Sequence, residues 1–238
     1  MTEKGYVQFR CDWERTAAPA GPLVDELIAW RDRLYRLGLI GVYPDGIGFG
    51  NLSARVGNAF VISGTATGRL EAVGPEHFTE VTGYDIAANF VKCRGPVEAS
   101  SESMSHAAVY RADPTAGAVI HVHHLDLWEQ LYGKLPTTDP KAEAGTPAMA
   151  WAIEELFRRG GVREAGLFVM GGHREGLMAF GATSDEAGAR VVAAFNVLAG
   201  VSKPGAASGS GEPPQLYSAR RPVPPPPTAA GRDRPGVQ

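Results

Sequence analysis

The hydrophobic and polar residues of this chain recur with two periods, one typical of helices and one of strands. Between residues 22 and 38 the apolar positions are three or four residues apart, which predicts an amphipathic helix that ends near Gly38. Three more segments begin with residues able to cap a helix and also read as helices: "SSESMSHAAVYRADP", "GTPAMAWAIEELFRRGG" and "TSDEAGARVVAAFNVLAG".

Short apolar runs lie between these helices. Such runs predict four strands, in the segments "NAFVISG", "AGAVIHVH", "GLFVMGG" and "GLMAFG". Strands interleaved with helices favour a layered α/β domain, in which helices cover a sheet.

The composition changes sharply near Ser202. The segment 203–238 holds half of the chain's 18 prolines and few apolar residues. Such a segment buries too little apolar surface to offset the entropy lost on ordering. We therefore predict one domain over residues 1–202 and a disordered tail over 203–238, although "RRPVPPPP" could instead be a polyproline ligand for a partner.

Charge and composition narrow the classes of partner. The formal net charge is −3, without the basic excess that nucleic-acid binding favours. No run approaches the roughly 20 apolar residues of a membrane span, and no secretory signal is visible. Two cysteines are too few for a disulfide framework, so we expect a cytoplasmic protein. From the charge and the lack of an apolar span we expect neither nucleic-acid nor membrane partners.

Three of the six histidines occur together in "HVHH". On a strand His121 and His123 point to one face, where both can reach one metal ion, whereas His124 points to the other. The alternative is a strand that ends in polar residues. His173, in the glycine-rich "VMGGHREG", could supply a third nitrogen ligand or be an ordinary turn residue.

Polar and glycine-rich segments offer sites for an anion. In "SSE", residues 100–102, hydroxyl groups precede a predicted helix, where free backbone N–H groups favour an anion; a plain helix cap is the alternative. "GIGFGNLSAR" and "VISGTATGRL" could wrap phosphate oxygens or form ordinary turns. His106, four residues after Glu102, is interpreted as structural.

Together these segments resemble the class II aldolase/adducin family, which includes fuculose-phosphate and rhamnulose-phosphate aldolases and ribulose-phosphate 4-epimerase. The matching motifs follow one another in the family's order: "GNLS", "ISGTATG", "SSE", "HVH", "GTPAMA" and "GGHREG". The resemblance spans roughly residues 25 to 200. It implies a three-layer α/β/α fold with a central, mainly antiparallel β-sheet.

The resemblance also implies a site. The expected ligands of a divalent ion, Zn²⁺ or another such as Fe, Mn or Co, are His121, His123 and His173. Glu102 matches the family's acid/base carboxylate. The family commonly forms homotetramers. The expected substrate- and phosphate-binding residues are Asn51, Ser53, Thr67, Gly68, Ser100 and Ser101.

The implied activity is that of an aldehyde-lyase acting on a small hydroxycarbonyl compound, a sugar phosphate, by retro-aldol cleavage through a metal-stabilised enediolate. The alternatives on the same metal site are a pentulose-phosphate epimerase, a sugar-acid phosphate decarboxylase and a dehydratase. A non-catalytic, adducin-like interaction module is a further alternative. One departure from the sugar-phosphate aldolases stands out, because "TTDPKAEAGTP" lacks the tyrosine that donates a proton in those enzymes.

Overall fold

The computed structural model describes residues 9–200, which contain ten strands and six α-helices. The strands are β1 (Arg10–Arg15), β2 (Gly41–Val42), β3 (Gly48–Phe49), β4 (Asn51–Val56), β5 (Ala59–Ser63), β6 (Phe78–Asp85), β7 (Phe90–Gly95), β8 (Ala118–His123), β9 (Leu167–Val169) and β10 (Gly176–Gly181). The helices are α1 (Pro22–Arg36), α2 (Ser103–Ala112), α3 (Leu125–Leu131), α4 (Pro147–Arg159), α5 (Val162–Ala165) and α6 (Ser184–Leu198), with a 3-10 turn at Pro75–His77. The predicted tail, 203–238, lies outside these residues, so its disorder and the boundary at Ser202 stay predictions.

Eight of the described strands form one sheet, in the order β1-β7-β6-β5-β4-β8-β10-β9. Every neighbouring pair is antiparallel except β1 and β7, which are parallel. The strands β2 and β3 form a separate hairpin. Helices pack on this mainly antiparallel sheet, which confirms the predicted α/β fold class. Among the described helices none has the length and apolar character to cross a membrane.

The sheet separates two hydrophobic cores, because side chains alternate between the faces of a strand. On one face Val119 of β8 belongs to a core that includes Met104 of α2 and Ile153 of α4. On the other face Ile120 belongs to a core that includes Leu27 of α1 and further residues of α6. The helices therefore form outer layers on both sides of the sheet.

Strand β8 lies in the interior of the sheet and is buried along its whole length. Its register places His121 opposite Asn51 of β4 and Met178 of β10, and His123 opposite Gly176. Both histidines project toward the face of Val119, as the alternation predicts. The last half of β8 thus carries two imidazoles on the side of the sheet that α2 covers.

The two cysteines lie on neighbouring strands. Cys11 is on β1 and Cys93 is on β7, and their sulfur atoms are 3.3 Å apart as free thiols. The parallel register pairs Cys11 with Val91, so the two residues are diagonal neighbours. Both are far along the sheet from the histidines of β8.

Candidate metal centre and its cleft

A cleft of about 310 Å³ opens at the end of β8. Its walls come from the β2–β3 hairpin, the start of β4, the loop after β5, the N-terminal end of α2 and the turn between β9 and β10. The structure brings nine of the ten predicted site residues to this cleft: Asn51, Thr67, Gly68, Ser100, Ser101, Glu102, His121, His123 and His173. Segments that are far apart in sequence therefore meet around one space.

His121, His123 and His173 form a triad in which each ring offers one nitrogen, and these three atoms lie within 4.8 Å of one another. The Nε2 atoms of His121 and His123 are 2.9 Å apart. The ring of His173 lies 5.1 Å from that of His121 and 4.5 Å from that of His123, measured between centroids. Three converging imidazoles are a donor set that suits zinc, copper, iron and nickel.

The outer nitrogen of His121 fixes which ring atom can bind an ion. Its Nδ1 is 3.0 Å from the carbonyl oxygen of Leu177, and a carbonyl only accepts, so Nδ1 carries the proton. The Nε2 lone pair is thereby turned toward the triad. Buried ligating histidines in proteins are oriented by the same kind of bond to a backbone carbonyl.

Burial keeps the triad's strand histidines neutral. Loss of hydration lowers the pKa of His121 to about 4 and is only partly opposed by the charge of Glu102. Burial also holds the pKa of His123 well below its ordinary value, with further contributions from the other two histidines. Neutral imidazole is the form that binds metal ions, so these residues fit a divalent ion.

His173 reaches the triad from the glycine-rich turn between β9 and β10. Its Nδ1 is buried and has no hydrogen-bond partner among the described residues, which is uncommon for a buried ring nitrogen. The turn packs tightly, because a Cβ atom on Gly172 would collide with the carbonyl oxygen of Ala142. Glycine at this position therefore lets the turn approach the segment before α4.

Glu102 stands beside the triad as the N-cap residue of α2. Its side chain is buried, its Oε2 accepts a hydrogen bond of 2.9 Å from the Ser105 hydroxyl, and its Oε1 lies 3.9 Å from Nδ1 of His173. The Ser105 contact holds one carboxylate oxygen and leaves the other facing the histidines. This arrangement provides a proton acceptor at the edge of the triad.

Ser53, which the sequence predicted to bind phosphate, is not among the residues that line the cleft. It is fully buried beneath α2, where its Oγ lies 2.7 Å from His106 Nδ1 and 2.8 Å from the Tyr110 hydroxyl. Asn51 faces the same core, and its Oδ1 lies 2.6 Å from His106 Nε2. His106 therefore donates from Nε2 to Asn51 and accepts at Nδ1 from Ser53.

This chain of hydrogen bonds orients Asn51. Because the amide oxygen of Asn51 accepts from His106, the amide N–H groups are the donors that this residue can offer at the cleft. Ser53, which is itself hydrogen-bonded to Tyr110, fixes the tautomer of His106 through its Nδ1 atom. The interpretation of His106 as structural agrees with this placement.

A buried arginine supports the loop that carries Thr67 and Gly68. The guanidinium of Arg31, on α1, donates 2.9 Å to the carbonyl oxygen of Thr67 and 3.2 Å to that of Glu71, and it also contacts the carbonyl of Leu70. A Cβ atom on Gly68 would collide with the carbonyl oxygen of Gly41. The loop therefore needs glycine there to lie against the β2–β3 hairpin.

Tyr43 and Arg69 also line the cleft, and neither was predicted from the sequence. Tyr43 follows β2, and its hydroxyl lies 2.8 Å from His123 Nδ1. Arg69 is exposed in the same cleft and is the one arginine or lysine among its lining residues. Both lie in irregular segments where no periodicity assigns a direction to the side chain; a basic residue directly after "TATG" was the available signal for Arg69.

His124 turns away from the cleft, as the strand alternation predicts. It caps α3, where its Nδ1 accepts a hydrogen bond of 3.2 Å from the backbone N–H of Leu127. Its ring lies against that of Phe195 in α6. Of the "HVHH" cluster, only His121 and His123 therefore line the cleft.

We expect the metal-free protein to lose stability as the pH falls below about 6.5, the ordinary histidine value. Burial holds the pKa of His106 well below that value. In this pH range His106 therefore binds a proton in the unfolded chain but not in the folded chain. Each such histidine contributes a slope of up to about 1.4 kcal/mol per pH unit, and stability rises with pH across this window.

Urea unfolding in the presence of a chelator, at intervals from pH 7.5 to 5, measures this slope. NMR of the imidazole ring checks its origin, because His106 should stay unprotonated at pH 5.5. A His106 resonance that titrates near pH 6.5 in the folded protein would contradict the assignment.

Comparison with known proteins places the site in context. The sequence model "Class II Aldolase and Adducin N-terminal domain" matches residues 25–199. No curated protein is similar to the chain at a significant level.

Solved structures share the fold at low identity. The L-fuculose-1-phosphate aldolase of Thermus thermophilus is 21% identical, with 77% of this chain and 98% of that chain covered and a TM-score of 0.52. A sugar-phosphate aldolase from Thermotoga maritima is 15% identical, with coverages of 76% and 97% and a TM-score of 0.54. An aldolase II superfamily protein from Pseudomonas syringae is 18% identical, with coverages of 76% and 77% and a TM-score of 0.52.

Proposed function

Because this chain belongs to the class II aldolase and adducin family, we propose that it is a divalent-metal-dependent aldehyde-lyase. Its substrate in this proposal is a small hydroxycarbonyl compound, a sugar phosphate, which is cleaved by a retro-aldol reaction. The observation that carries the proposal is the convergence of His121, His123 and His173 with Glu102 in one cleft.

The chemistry needs a stabilised negative charge and a proton acceptor. When bound, a divalent ion polarises the oxygen atoms of a hydroxycarbonyl compound as a Lewis acid and stabilises the charge that develops as the C–C bond breaks. Glu102 accepts the hydroxyl proton of the substrate at the carboxylate oxygen that Ser105 leaves unoccupied, Oε1. The buried Ser105 contact keeps that oxygen in place.

We assign a phosphate-binding role to other residues that line the same cleft. The amide of Asn51, the hydroxyls of Ser100 and Ser101 and the loop around Thr67 provide hydrogen-bond donors, and Arg69 adds a positive charge. A phosphate held by these groups keeps the reacting end of the substrate at the triad. Ser53 contributes indirectly, through His106.

Zinc is the ion that we assign, with iron, manganese and cobalt as alternatives, since three imidazoles alone do not select zinc. A homotetramer and a cytoplasmic location stay predictions from the family resemblance and the composition. Light scattering of the purified protein measures the first of these.

One sequence feature favours a second candidate. Residues 136–146, ahead of α4, contain no tyrosine to donate a proton as in the sugar-phosphate aldolases. An epimerase, a decarboxylase or a dehydratase on the same site would use the triad and Glu102 with a different donor. The non-catalytic, adducin-like alternative is disfavoured, because such a module has no need of a buried histidine triad beside a carboxylate.

The test combines metal analysis with a substrate screen. Purified protein should bind about one divalent ion per chain, and the loaded protein should release an aldehyde from at least one ketose phosphate in a broad panel. NMR and mass spectrometry of the products separate cleavage from epimerisation, decarboxylation and dehydration. Less than a tenth of an equivalent of metal, or metal-loaded protein without any product, would count against a metal-dependent enzyme.

A further inference from the structure

Tyr43 and Glu175 form a hydrogen-bonded pair behind His123. The Tyr43 hydroxyl lies 2.8 Å from His123 Nδ1 and donates to Glu175 Oε2 at 2.7 Å. All three groups are at least partly buried, at the boundary between the β2–β3 hairpin and the turn before β10. Tyr43 therefore contacts Nδ1, the ring nitrogen of His123 that faces away from His121.

The direction of these bonds decides the tautomer of His123. A carboxylate only accepts, so the single hydroxyl proton of Tyr43 points to Glu175. The hydroxyl oxygen can then only accept from His123, which places the ring proton on Nδ1. The Nε2 atom of His123 is left with its lone pair directed at the triad.

His121 presents its own Nε2 lone pair to the same point, because its Nδ1 donates to Leu177. The two Nε2 atoms are 2.9 Å apart, and two lone pairs that face one another at this distance repel. A cation between them removes the repulsion. The outer hydrogen bonds on both rings therefore favour a positively charged ion in the same place.

The backbone holds both members of the pair in place. The Tyr43 N–H donates 2.8 Å to the Ile47 carbonyl oxygen within the hairpin, and the Tyr43 ring lies 4.5 Å from that of Phe49, which in turn lies 5.5 Å from that of His123. Glu175 has a φ of 72°, a left-handed conformation that favours glycine. Non-glycine residues in such a conformation are uncommon and are found often at functional sites.

From this geometry we propose that Tyr43 and Glu175 are positioning residues, which fix the tautomer and orientation of His123 for metal binding. The proposal rests on the proposed metal-dependent function. The pair acts on the ion only through His123, as carboxylates and other acceptors behind ligating histidines do elsewhere. Tyr43 lies in the β2–β3 hairpin, which carries none of the three histidines.

The test is the affinity of the full chain for Zn²⁺ and Co²⁺, measured by competition with a chromophoric chelator. The Tyr43→Phe variant keeps the ring packing and removes only the hydroxyl, and we expect about 10- to 100-fold weaker binding. The Co²⁺ absorption spectrum should change with it, because the ring of His123 is freed to reorient. Tyr132→Phe is the matched control, since Tyr132 is exposed and does not line the cleft.

Glu175→Gln tests the second member of the pair and stands in if Tyr43→Phe fails to fold. An amide can donate as well as accept, so the hydroxyl proton of Tyr43 is no longer held away from His123. We expect a smaller loss of metal affinity than in Tyr43→Phe. The double variant should lose less than the sum of the two free-energy changes, because both substitutions disrupt one chain of bonds.

The outcomes separate this proposal from the function on which it rests. Wild-type protein that binds neither ion would overturn both. Wild-type binding with unchanged affinity in both variants would overturn the positioning role alone. A Tyr43→Phe variant that keeps its affinity and spectrum but loses turnover would instead make Tyr43 a catalytic residue, and that result also overturns the positioning role.

Discussion

Replacement of His123 by alanine is expected to reduce the affinity for a divalent ion by more than about 100-fold. This loss is larger than that caused by substituting a residue that only hydrogen-bonds to a metal ligand. The variant loses one of three converging nitrogens and leaves Tyr43 and Glu175 without the ring that they orient. Two imidazoles and one adjacent carboxylate remain, so weak binding is compatible with this expectation. Chelator competition with Zn²⁺ measures the loss.

The fold should survive this substitution. In metal-free protein we expect the free energy of unfolding to fall by about 0.5–3 kcal/mol, the usual range for a single substitution. Urea unfolding in the presence of a chelator separates this cost from the loss of the ion.

His124→Ala is the matched control, since it removes an imidazole from the next residue. It should keep the metal affinity of the wild type and lose only the cap of α3, at a cost of about 1 kcal/mol. Equal metal affinity in wild type and His123→Ala would show that the triad is not the site of the ion.

Local pattern was enough to orient the two strand histidines. Side chains alternate on any strand, so "AVIHVH" places His121 and His123 on one face wherever that strand lies in the fold. The third histidine has no such local signal. It reaches the triad because β10 pairs with β8 in a register that sets Gly176 opposite His123, and that register is a tertiary property.

The sequence pattern did not show which residues of a strand are covered by a helix and which line the cleft. Asn51 and Ser53 are two residues apart on β4 and share a face, yet only Asn51 lines the cleft. The difference arises because α2 covers Ser53, whose hydroxyl is taken by His106 and Tyr110. No period along β4 reveals where that helix lies.

The irregular segments were the least predictable. Tyr43 belongs to a hairpin of two-residue strands, too short to show a period, and its contact with Glu175 joins residues that are 132 positions apart. Arg31 looks in sequence like a polar residue on an amphipathic helix, yet it is buried and bonds to the carbonyls of a loop. Both roles exist only once the loops have packed.

Glu102→Gln is expected to keep the ion and lose turnover by about 100- to 10,000-fold, the usual contribution of a general acid or base. The amide has nearly the shape of the carboxylate and can still accept the hydrogen bond from Ser105, so the start of α2 should not change. It cannot accept a proton from a substrate. Metal content, the far-ultraviolet circular dichroism spectrum and kcat, measured on the same preparation, separate the two effects.

The comparison with His123→Ala makes the role of Glu102 specific. Loss of His123 should lower metal affinity and turnover together, whereas loss of the Glu102 charge should lower turnover in a protein that stays metal-loaded. Glu164→Gln provides the control, because Glu164 is an exposed carboxylate on α5 that does not line the cleft. Full activity in Glu102→Gln would move the acid/base role to another group. Loss of the ion in that variant would instead make Glu102 a metal ligand, which its position 3.9 Å from His173 Nδ1 allows.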